Sequence, residues 1–379
     1  MDRYVMQASK GLIDLSGTLL FRVDASSLIG SGHLMRCLTL ADEARSRGWR
    51  SFFVTRDLSS ELIDKVKASG HKLYHLVEID KNKSFKINEL AHSDWLNVSQ
   101  ETDAIETSHL IEKINPDWVI VDHYAIDATW HTIIKKTGKK LLVIDDLADR
   151  VLNCDILINQ NLGFLDKDYA GKVKVDTQML FGPKYALLRP EFREWREFSL
   201  SRKTVFPKKR VLITMGGVDA ENHTLKVLET LEGSLNAHKC EFLVILGPLY
   251  QFLDEFNKFT ENSHNDIRML TNIDNMAEIM ANSDVCIGAA GSSSWERCCL
   301  GLPTLTFTIA ENQHRIAAYL HDRKVAVTTE IEALRSDFDN IFSLKGSDVL
   351  MRVSFNGQKI CDGLGSERVV KLLGKNNED

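Results

Sequence analysis

The stretch Thr18-Leu-Leu-Phe-Arg-Val23 is an apolar run of the length of a buried β-strand. A loop connects it to residues 34–47, whose apolar side chains recur at helical spacing, and Gly48 follows where a helix commonly ends. A second apolar run, Arg50-Ser-Phe-Phe-Val-Thr55, begins almost at once. This succession of strand, helix, glycine and strand is typical of a parallel sheet with crossover helices.

The same alternation continues along the rest of the chain. Strands are predicted at 118–122, 140–146, 155–159, 210–214, 241–246, 267–270, 285–287 and 304–308, and helices at 59–69, 129–136, 222–231, 249–259, 276–282 and 294–300. The pattern predicts an α/β protein with two doubly wound, Rossmann-like domains that face a cleft. The expected divisions are an N-terminal extension (1–18), an N-terminal domain (19–188), a charged linker (189–209) and a C-terminal domain (210–379).

The composition is that of an ordinary globular protein. The chain has 379 residues, of which 44% are hydrophobic and 26% charged. At roughly 150 residues per domain, this length predicts two domains. These figures exclude collagen-like and largely disordered proteins. The net charge of −6 argues against nucleic acid as the main partner. Because no apolar run approaches the roughly 20 residues that span a bilayer, we expect a cytoplasmic protein without membrane insertion.

The cysteines and acidic residues do not predict a metal site. Seven cysteines occur without a CxxC pair or a histidine pair at zinc spacing, so reduced thiols are expected. Asp145-Asp146 could bind a metal, but neither a second acidic cluster nor a histidine accompanies it in sequence. We therefore expect neither a metal nor a cofactor.

The loop after the first strand carries the first candidate site. Gly30 and Gly32 directly precede a helix, where backbone N–H groups and the helix dipole can hold an anion. Arg36 stands where the dinucleotide pattern G-x-G-x-x-G has its third glycine, which argues against a dinucleotide. His33, at the helix start and the carboxyl edge of the sheet, suits a general base. A tight turn and a locally packed imidazole are the alternative interpretations.

A second candidate site lies in the C-terminal half. Gly288-Ala-Ala-Gly-Ser-Ser-Ser-Trp-Glu296 leads from a strand into a helix, and its hydroxyls and amides could hold a diphosphate without a lysine. Glu296 could accept hydrogen bonds from two ribose hydroxyls. A capping box of Ser293 and Glu296 is the alternative. The turn Gly216-Gly217 either faces a phosphate or is merely tight.

Five motifs in order resemble one enzyme family, the UDP-2,4-diacetamido-2,4,6-trideoxy-β-L-altropyranose hydrolases of pseudaminic acid biosynthesis. They lie at residues 22–37, 121–124, 182–192, 215–219 and 291–296, and the similarity covers about 19–371. The resemblance implies the GT-B fold of MurG-type glycosyltransferases, with the nucleotide bound mainly by the C-terminal domain. It also implies hydrolysis at the anomeric carbon, which releases UDP and a free sugar.

The resemblance also implies roles for particular residues. His33 matches the catalytic histidine and Tyr124 the active-site tyrosine, while Ile273 is placed to meet uracil through its backbone. The predicted catalytic residues are thus His33, Tyr124 and Asp24, the last as a residue that orients the loop. The predicted substrate- and UDP-binding residues are Gly30, Gly32, Arg36, Gly216, Gly217, Ile273, Gly291, Ser292, Ser293, Ser294 and Glu296.

Other functions share these motifs. A MurG-type glycosyltransferase would use the same nucleotide pocket with an acceptor in place of water, and a non-catalytic nucleotide-sugar sensor would use the pocket alone. Relatives that act on a neighbouring UDP-diacetamido sugar would share every motif, so the stereochemistry of the sugar stays open. For the hydrolase we expect a UDP-sugar and water as partners, and a monomer.

Overall fold

A computed structural model describes residues 17–26, 28–77, 90–202, 209–309, 313–343 and 346–375. These residues form two compact units. Unit 1 contains the described residues up to Ile158, the segment Asp166–Leu180 and the described residues from Ser366 onward. Unit 2 contains Asn159–Leu165 and the described residues within Phe181–Gly365. Within the described ranges, no helix is long and apolar enough to cross a membrane.

Unit 1 is built on a seven-stranded sheet in the order β3-β2-β1-β4-β5-β6-β7. The strands are β1 (Thr18–Val23), β2 (Arg50–Thr55), β3 (Lys72–His75), β4 (Trp118–Asp122), β5 (Lys140–Ile144), β6 (Ile156–Asn159) and β7 (Gln178–Phe181). The helices between them are α1 (Gly32–Ser46), α2 (Ser60–Ala68), α3 (Gln100–Ile114) and α4 (Ala128–Lys135). The pairings from β3 through β6 are parallel, and the strand order reverses between β1 and β4.

Unit 2 repeats this arrangement with six strands in the order β10-β9-β8-β11-β12-β13. The strands are β8 (Arg210–Thr214), β9 (Glu241–Ile245), β10 (Asp266–Leu270), β11 (Val285–Ala289), β12 (Thr304–Phe307) and β13 (Val327–Thr328). The helices are α5 (Pro190–Glu194), α6 (Arg196–Arg202), α7 (His223–Leu231), α8 (Leu253–Asn262), α9 (Met276–Asn282), α10 (Ser293–Cys299), α11 (His314–Asp322), α12 (Leu334–Ile341) and α13 (Gly346–Ile360). The final helix, α14 (Gly365–Lys375), lies mostly in unit 1.

The predicted α/β class with two Rossmann-like domains is confirmed. All residues of β1 and β4 are buried, as expected for parallel strands covered by helices on both faces. In each unit the reversal of strand order, β1 beside β4 and β8 beside β11, creates the kind of edge at which open α/β sheets bind ligands. Both candidate loops follow strands of these two pairs.

The units differ from the predicted boundaries at the linker and at the C-terminus. The described part of the predicted linker 189–209 is mostly helical and packs into unit 2, where Phe192 is buried in the core and Ser199 donates to the carbonyl of Leu300 at 2.7 Å. Helix α14 instead contacts unit 1, since Trp118 Nε1 donates to the carbonyl of Leu373 at 3.3 Å. Of the predicted extension, residues 1–16 lie outside the described residues, and Thr18 already begins β1.

A buried ionic network joins β1 to the helices and loops of unit 1. The Asp103 carboxylate of α3 accepts two hydrogen bonds from Arg22, at 2.9 and 2.7 Å, and one from Trp130 Nε1 at 2.9 Å. Arg56, which follows β2, donates to the same carboxylate at 3.0 Å. Although burial alone would raise the pKa of Asp103, the two arginines lower it. Asp103 therefore stays ionised and balances charges that would be costly to bury alone.

Removal of the Asp103 carboxylate should destabilise unit 1. We expect Asp103→Ala to lower the free energy of unfolding by about 3–5 kcal/mol, because it leaves two buried guanidinium groups without their shared partner. Urea denaturation followed by circular dichroism measures this change. Asp64→Ala, at an exposed position of α2, is the control and should change stability by less than about 0.5 kcal/mol. Equal effects of the two substitutions would contradict the assigned role.

Candidate active site

His33 lies where the strand order of unit 1 reverses and contacts the end of β4. Its Nδ1 is 2.6 Å from Oδ1 of Asp122, the last residue of β4. Burial would raise the pKa of Asp122, but Arg36 and His33 hold it well below its usual range. The ionised carboxylate accepts a hydrogen bond from the Nδ1–H group of His33, so that Nε2 carries the lone pair. Nε2 has no hydrogen bond to any described residue, and His33 is therefore arranged to act as a base.

Arg36 lies one helical turn after His33 and binds the same carboxylate. Its Nε and Nη2 donate to the two oxygens of Asp122 at 2.5 and 2.6 Å, and its Nη1 donates to Asp146 at 3.1 Å. A bidentate pair of this kind holds a carboxylate in one orientation. Arg36 therefore holds the carboxylate of Asp122 in place, and its predicted role in binding substrate stays a prediction.

Tyr124 lies beside His33, and its predicted catalytic role stays a prediction. The two rings meet edge to face with centroids 4.5 Å apart, and the phenol donates a hydrogen bond to Asp146. Burial and the Asp146 carboxylate raise the pKa of Tyr124 well above its usual value, so the phenol keeps its proton at neutral pH. Trp95 stacks on Tyr124 at 5.5 Å. Trp95 and Asp122 also belong to this cluster of side chains, and neither was predicted from the sequence as a candidate.

Asp24 belongs to the support of the site. One oxygen accepts hydrogen bonds from Thr55 Oγ1 at 2.9 Å and from the Arg56 amide at 2.7 Å, and the other lies 3.1 Å from His123 Nε2. Arg22 pairs with the same carboxylate at 2.8 Å. Asp24 is buried, and both of its oxygens already have partners. These partners lie outside the glycine loop, so the predicted role of Asp24 in orienting that loop stays a prediction.

Asp145 and Asp146, the residues considered for a metal, both bind protein groups. Asp145 accepts hydrogen bonds from Arg150 and from the Tyr169 hydroxyl, each at 2.7 Å. Asp146 accepts from Arg36 and Tyr124. Across the described residues, no three histidine, cysteine or acidic side chains are grouped so as to hold a metal ion. The seven cysteines are all free and buried.

The first glycine turn of unit 2 follows β8. Gly216 has φ +98°, and a Cβ on Gly216 or Gly217 would meet no atom within 4 Å, so packing does not demand glycine there. Open space beside a glycine backbone lets a ligand approach closely. The start of α7 is already bonded, because Asp219 accepts from the amides of His223 and Thr224 at 2.8 and 2.9 Å. An anion bound at this turn would therefore contact the backbone of Gly216 and Gly217 and not the amides at the start of α7.

The second turn, Gly291 to Glu296, lacks the capping box that was the alternative interpretation. Ser292 is the N-cap of α10 and its side chain makes no capping bond. The amides of Ser292 and Ser293 have no backbone acceptor among the described residues. The half-buried Glu296 carboxyl likewise has no hydrogen bond or ion pair with any described residue. The turn thus presents two donors and one acceptor that a ligand could use.

Arg297 is a buried cation that the sequence analysis did not single out. Its side chain is 2% exposed, and its Nη2 donates to the carbonyl of Ala289 at 2.7 Å and to Ser294 Oγ at 2.9 Å. Among the described residues, its Nε and Nη1 have no oxygen or nitrogen partner, and no acidic group lies within ion-pair distance. A Cβ on Gly288 would lie 2.6 Å from Nη1, which explains that glycine. A buried cation without an ion-pair partner favours an anionic ligand nearby.

Ile273 lies between β10 and α9 with its side chain half-buried against the core of unit 2. Its N–H and C=O form no backbone hydrogen bond with a described residue. Both groups are therefore available for the predicted contact with a pyrimidine base. The preceding Asn272 has φ +50°, a left-handed conformation that asparagine tolerates better than most residues.

Glu296 should make stability depend on pH. Burial raises the pKa of its carboxyl to about 7, despite attraction by Arg189 and Arg297, against about 4.3 for an unfolded glutamate. The folded state thus binds the proton more tightly. Relative to Glu296→Gln, the wild type should be equally stable near pH 4 and less stable above pH 7, by about 1–3 kcal/mol.

Urea denaturation across this pH range measures the difference. Glu255→Gln, at an exposed position of α8, is the control and should show no such trend. A difference between wild type and Glu296→Gln that stayed constant with pH would show that Glu296 does not titrate in this way.

Known proteins resemble this chain in sequence and in structure. Residues 210–337 match the glycosyltransferase family 28 C-terminal domain. An uncharacterized protein of Methanocaldococcus jannaschii is 28% identical over 83% of this chain, which spans 60% of that relative's length. UDP-2,4-diacetamido-2,4,6-trideoxy-β-L-altropyranose hydrolase of Campylobacter jejuni is 28% identical over 80% of this chain and 95% of its own length.

Among solved structures, MurG of Acinetobacter baumannii superposes with a TM-score of 0.63 over 94% of this chain and 99% of its own, at 13% sequence identity. At that identity the likeness concerns the fold alone, and it agrees with the GT-B fold predicted from the motifs. The resemblance predicted from sequence is confirmed: this chain is similar to the UDP-2,4-diacetamido-2,4,6-trideoxy-β-L-altropyranose hydrolases of pseudaminic acid biosynthesis.

Proposed function

We propose that this protein hydrolyses a UDP-linked 2,4-diacetamido-2,4,6-trideoxy sugar of the altrose type at its anomeric carbon. The products are UDP and the free sugar, for pseudaminic acid-type nonulosonate biosynthesis. The observation that carries the proposal is the Asp122–His33 pair at 2.6 Å, which leaves Nε2 of His33 as an unpartnered base among the described residues. The sequence similarity to the Campylobacter jejuni hydrolase supports the choice of substrate.

In this mechanism His33 activates water. Nε2 takes a proton from the water as its oxygen attacks C1 of the sugar, and the bond between C1 and the phosphate oxygen breaks with its electron pair leaving on UDP. Asp122 accepts the Nδ1 proton in a hydrogen bond and stabilises the imidazolium that forms. Arg36 keeps the carboxylate in place, and Tyr124 packs against the imidazole edge to face.

Unit 2 supplies the groups for UDP. Glu296 would accept the ribose hydroxyls, and the Ile273 backbone would meet uracil. The open glycine turn at Gly216 and the free amides of the Ser292 turn would face the diphosphate, and Arg297 makes that region electropositive. Donors and positive charge aimed at a departing diphosphate stabilise the negative charge that develops in the transition state.

Loss of the base should remove turnover while leaving nucleotide affinity intact. With a UDP-diacetamido sugar and no acceptor, we expect His33→Asn to lower kcat by about 10²–10⁴-fold, the usual contribution of a general base. Its affinity for UDP, measured by calorimetry, should match the wild type because the imidazole acts on water. His109→Asn, at an exposed position of α3, is the matched control.

The same assay distinguishes the other candidate functions. Near wild-type turnover in His33→Asn would refute the assignment of the base. Release of UDP by the wild type only when a sugar acceptor is added would favour the MurG-type glycosyltransferase. UDP-sugar binding without any release would favour a sensor.

The product anomer tests the direct attack of water. A single displacement inverts the configuration at C1, whereas retention requires a nucleophilic carboxylate and a covalent intermediate. Asp24 already bonds Thr55, Arg56 and His123, so it is unsuited to that role. We expect proton NMR to show the inverted anomer before mutarotation, also in excess EDTA. A retained anomer, or activity that EDTA abolishes and Mg²⁺ restores, would contradict this mechanism.

A further inference from the structure

We propose that Trp95 forms, with His92 and Tyr124, an aromatic wall that binds the apolar substituents of the sugar and so determines which sugar is hydrolysed. The inference rests on the proposed function and extends it to the source of substrate selectivity. The substituents in question are the methyl groups of the acetamido groups and the C6 methyl group of a 6-deoxy sugar.

Two rings of the aromatic wall, Trp95 and Tyr124, contact the proposed base. The indole of Trp95 stacks on Tyr124 with an interplanar angle of 26° and centroids 5.5 Å apart. Its edge-to-face contacts reach His33 at 6.0 Å and His123 at 6.4 Å. His92 lies 4.5 Å from Trp95 and 5.4 Å from Tyr124. A sugar whose C1 is within reach of His33 would therefore lie close to these rings.

The backbone that carries Trp95 is anchored while its side chain stays accessible. A 3₁₀ turn, Ser93–Leu96, holds the residue, with Ser93 and Leu96 buried on either side and the Trp95 amide donating to the carbonyl of His92 at 3.0 Å. The indole is half-exposed. An anchored aromatic ring that remains half-exposed offers a preorganised apolar surface to a ligand.

The aromatic wall is neutral, which favours acylated deoxy sugars over polyhydroxylated ones. Burial, together with Arg150 and His33, lowers the pKa of His92 despite Asp149, so its imidazole is uncharged at neutral pH. Trp95 Nε1 makes no hydrogen bond to a described residue and is a single donor. Hydroxyl groups facing such rings would lose water without gaining partners, whereas methyl groups gain from burial.

His33 does not depend on Trp95 for its orientation. Asp122 holds the imidazole through Nδ1, and Arg36 holds Asp122 through two hydrogen bonds. A substitution at Trp95 should therefore change the binding of the sugar more than the chemical step. This separates the proposed role from one in positioning the base.

The test compares Trp95→Ala with the wild type on two substrates, the UDP-diacetamido-trideoxy sugar and UDP-N-acetylglucosamine. We expect KM for the diacetamido sugar to rise about tenfold, kcat to change less than about threefold, and inhibition by UDP to be unchanged. The preference for the diacetamido sugar, as a ratio of kcat/KM values, should fall about tenfold. Trp95→Phe keeps an aromatic ring, so its preference for the diacetamido sugar should lie between those of the wild type and Trp95→Ala.

Trp195→Ala is the matched control, because Trp195 is also half-buried and contacts an aromatic ring, Phe198, but lies between α5 and α6 of unit 2. It should leave the substrate preference unchanged. If the ratio of kcat/KM values were unchanged in Trp95→Ala, whether both substrates lost equally or neither lost, the inference would be overturned while the hydrolase function stood. Trp95→Gln, which keeps side-chain bulk but replaces the apolar ring with a polar amide, replaces Trp95→Ala if that variant does not fold. A wild type that hydrolyses neither substrate would refute the proposed function itself, and the inference with it.

Discussion

The carboxylate of Asp122 is the group on which the proposed active site depends. Asp122 is the last residue of β4 and lies where the strand order reverses. Its carboxylate accepts hydrogen bonds from two residues of α1, one from Nδ1–H of His33 and two from Arg36. The arginine keeps the carboxylate ionised in a buried position, and the ionised carboxylate selects the histidine tautomer that leaves Nε2 free. Without Arg36, the same burial would favour a protonated Asp122, and the imidazole would lose its orienting acceptor.

A second set of buried charged residues lies at the end of β1, just before the loop that leads into α1. Arg22 in β1 bridges Asp24 and Asp103, and Asp24 in turn meets His123, the residue after Asp122. Buried ion pairs contribute little net stability, because desolvation offsets their attraction, but they penalise any arrangement that separates them. The network therefore contributes most by fixing the end of β1 relative to α3 and to the end of β4, where the proposed base is held by Asp122.

The sequence predicted the parts of the fold that burial determines and missed those that depend on contacts in space. Strands such as β1 are continuous apolar runs because both faces are covered, whereas the edge strand β3, Lys72–His75, has exposed ends and no such run. The position of His33 at a turn could be predicted because its neighbouring glycines mark one, whereas its role as a base stays a prediction. Asp122 was one acidic residue at the end of a strand, and only the register of β1 beside β4 shows that it meets α1. Trp95 lies in a 3₁₀ turn without periodicity, so no local pattern indicated it.

The two units treat buried charge in opposite ways, and this contrast matches the roles proposed for them. In unit 1 the buried acids Asp24, Asp103 and Asp122 each have a cationic partner, which yields a site that is complete before any ligand arrives. In unit 2, Arg297 has no described acidic partner and Glu296 has no described hydrogen bond, so burial raises the pKa of Glu296 to about 7. Unpaired buried groups cost free energy that a ligand with complementary anions and hydroxyls can recover on binding. A nucleoside diphosphate carries both kinds of group. The charge arrangement therefore supports the proposal that unit 2 binds the nucleotide and that unit 1 carries the base.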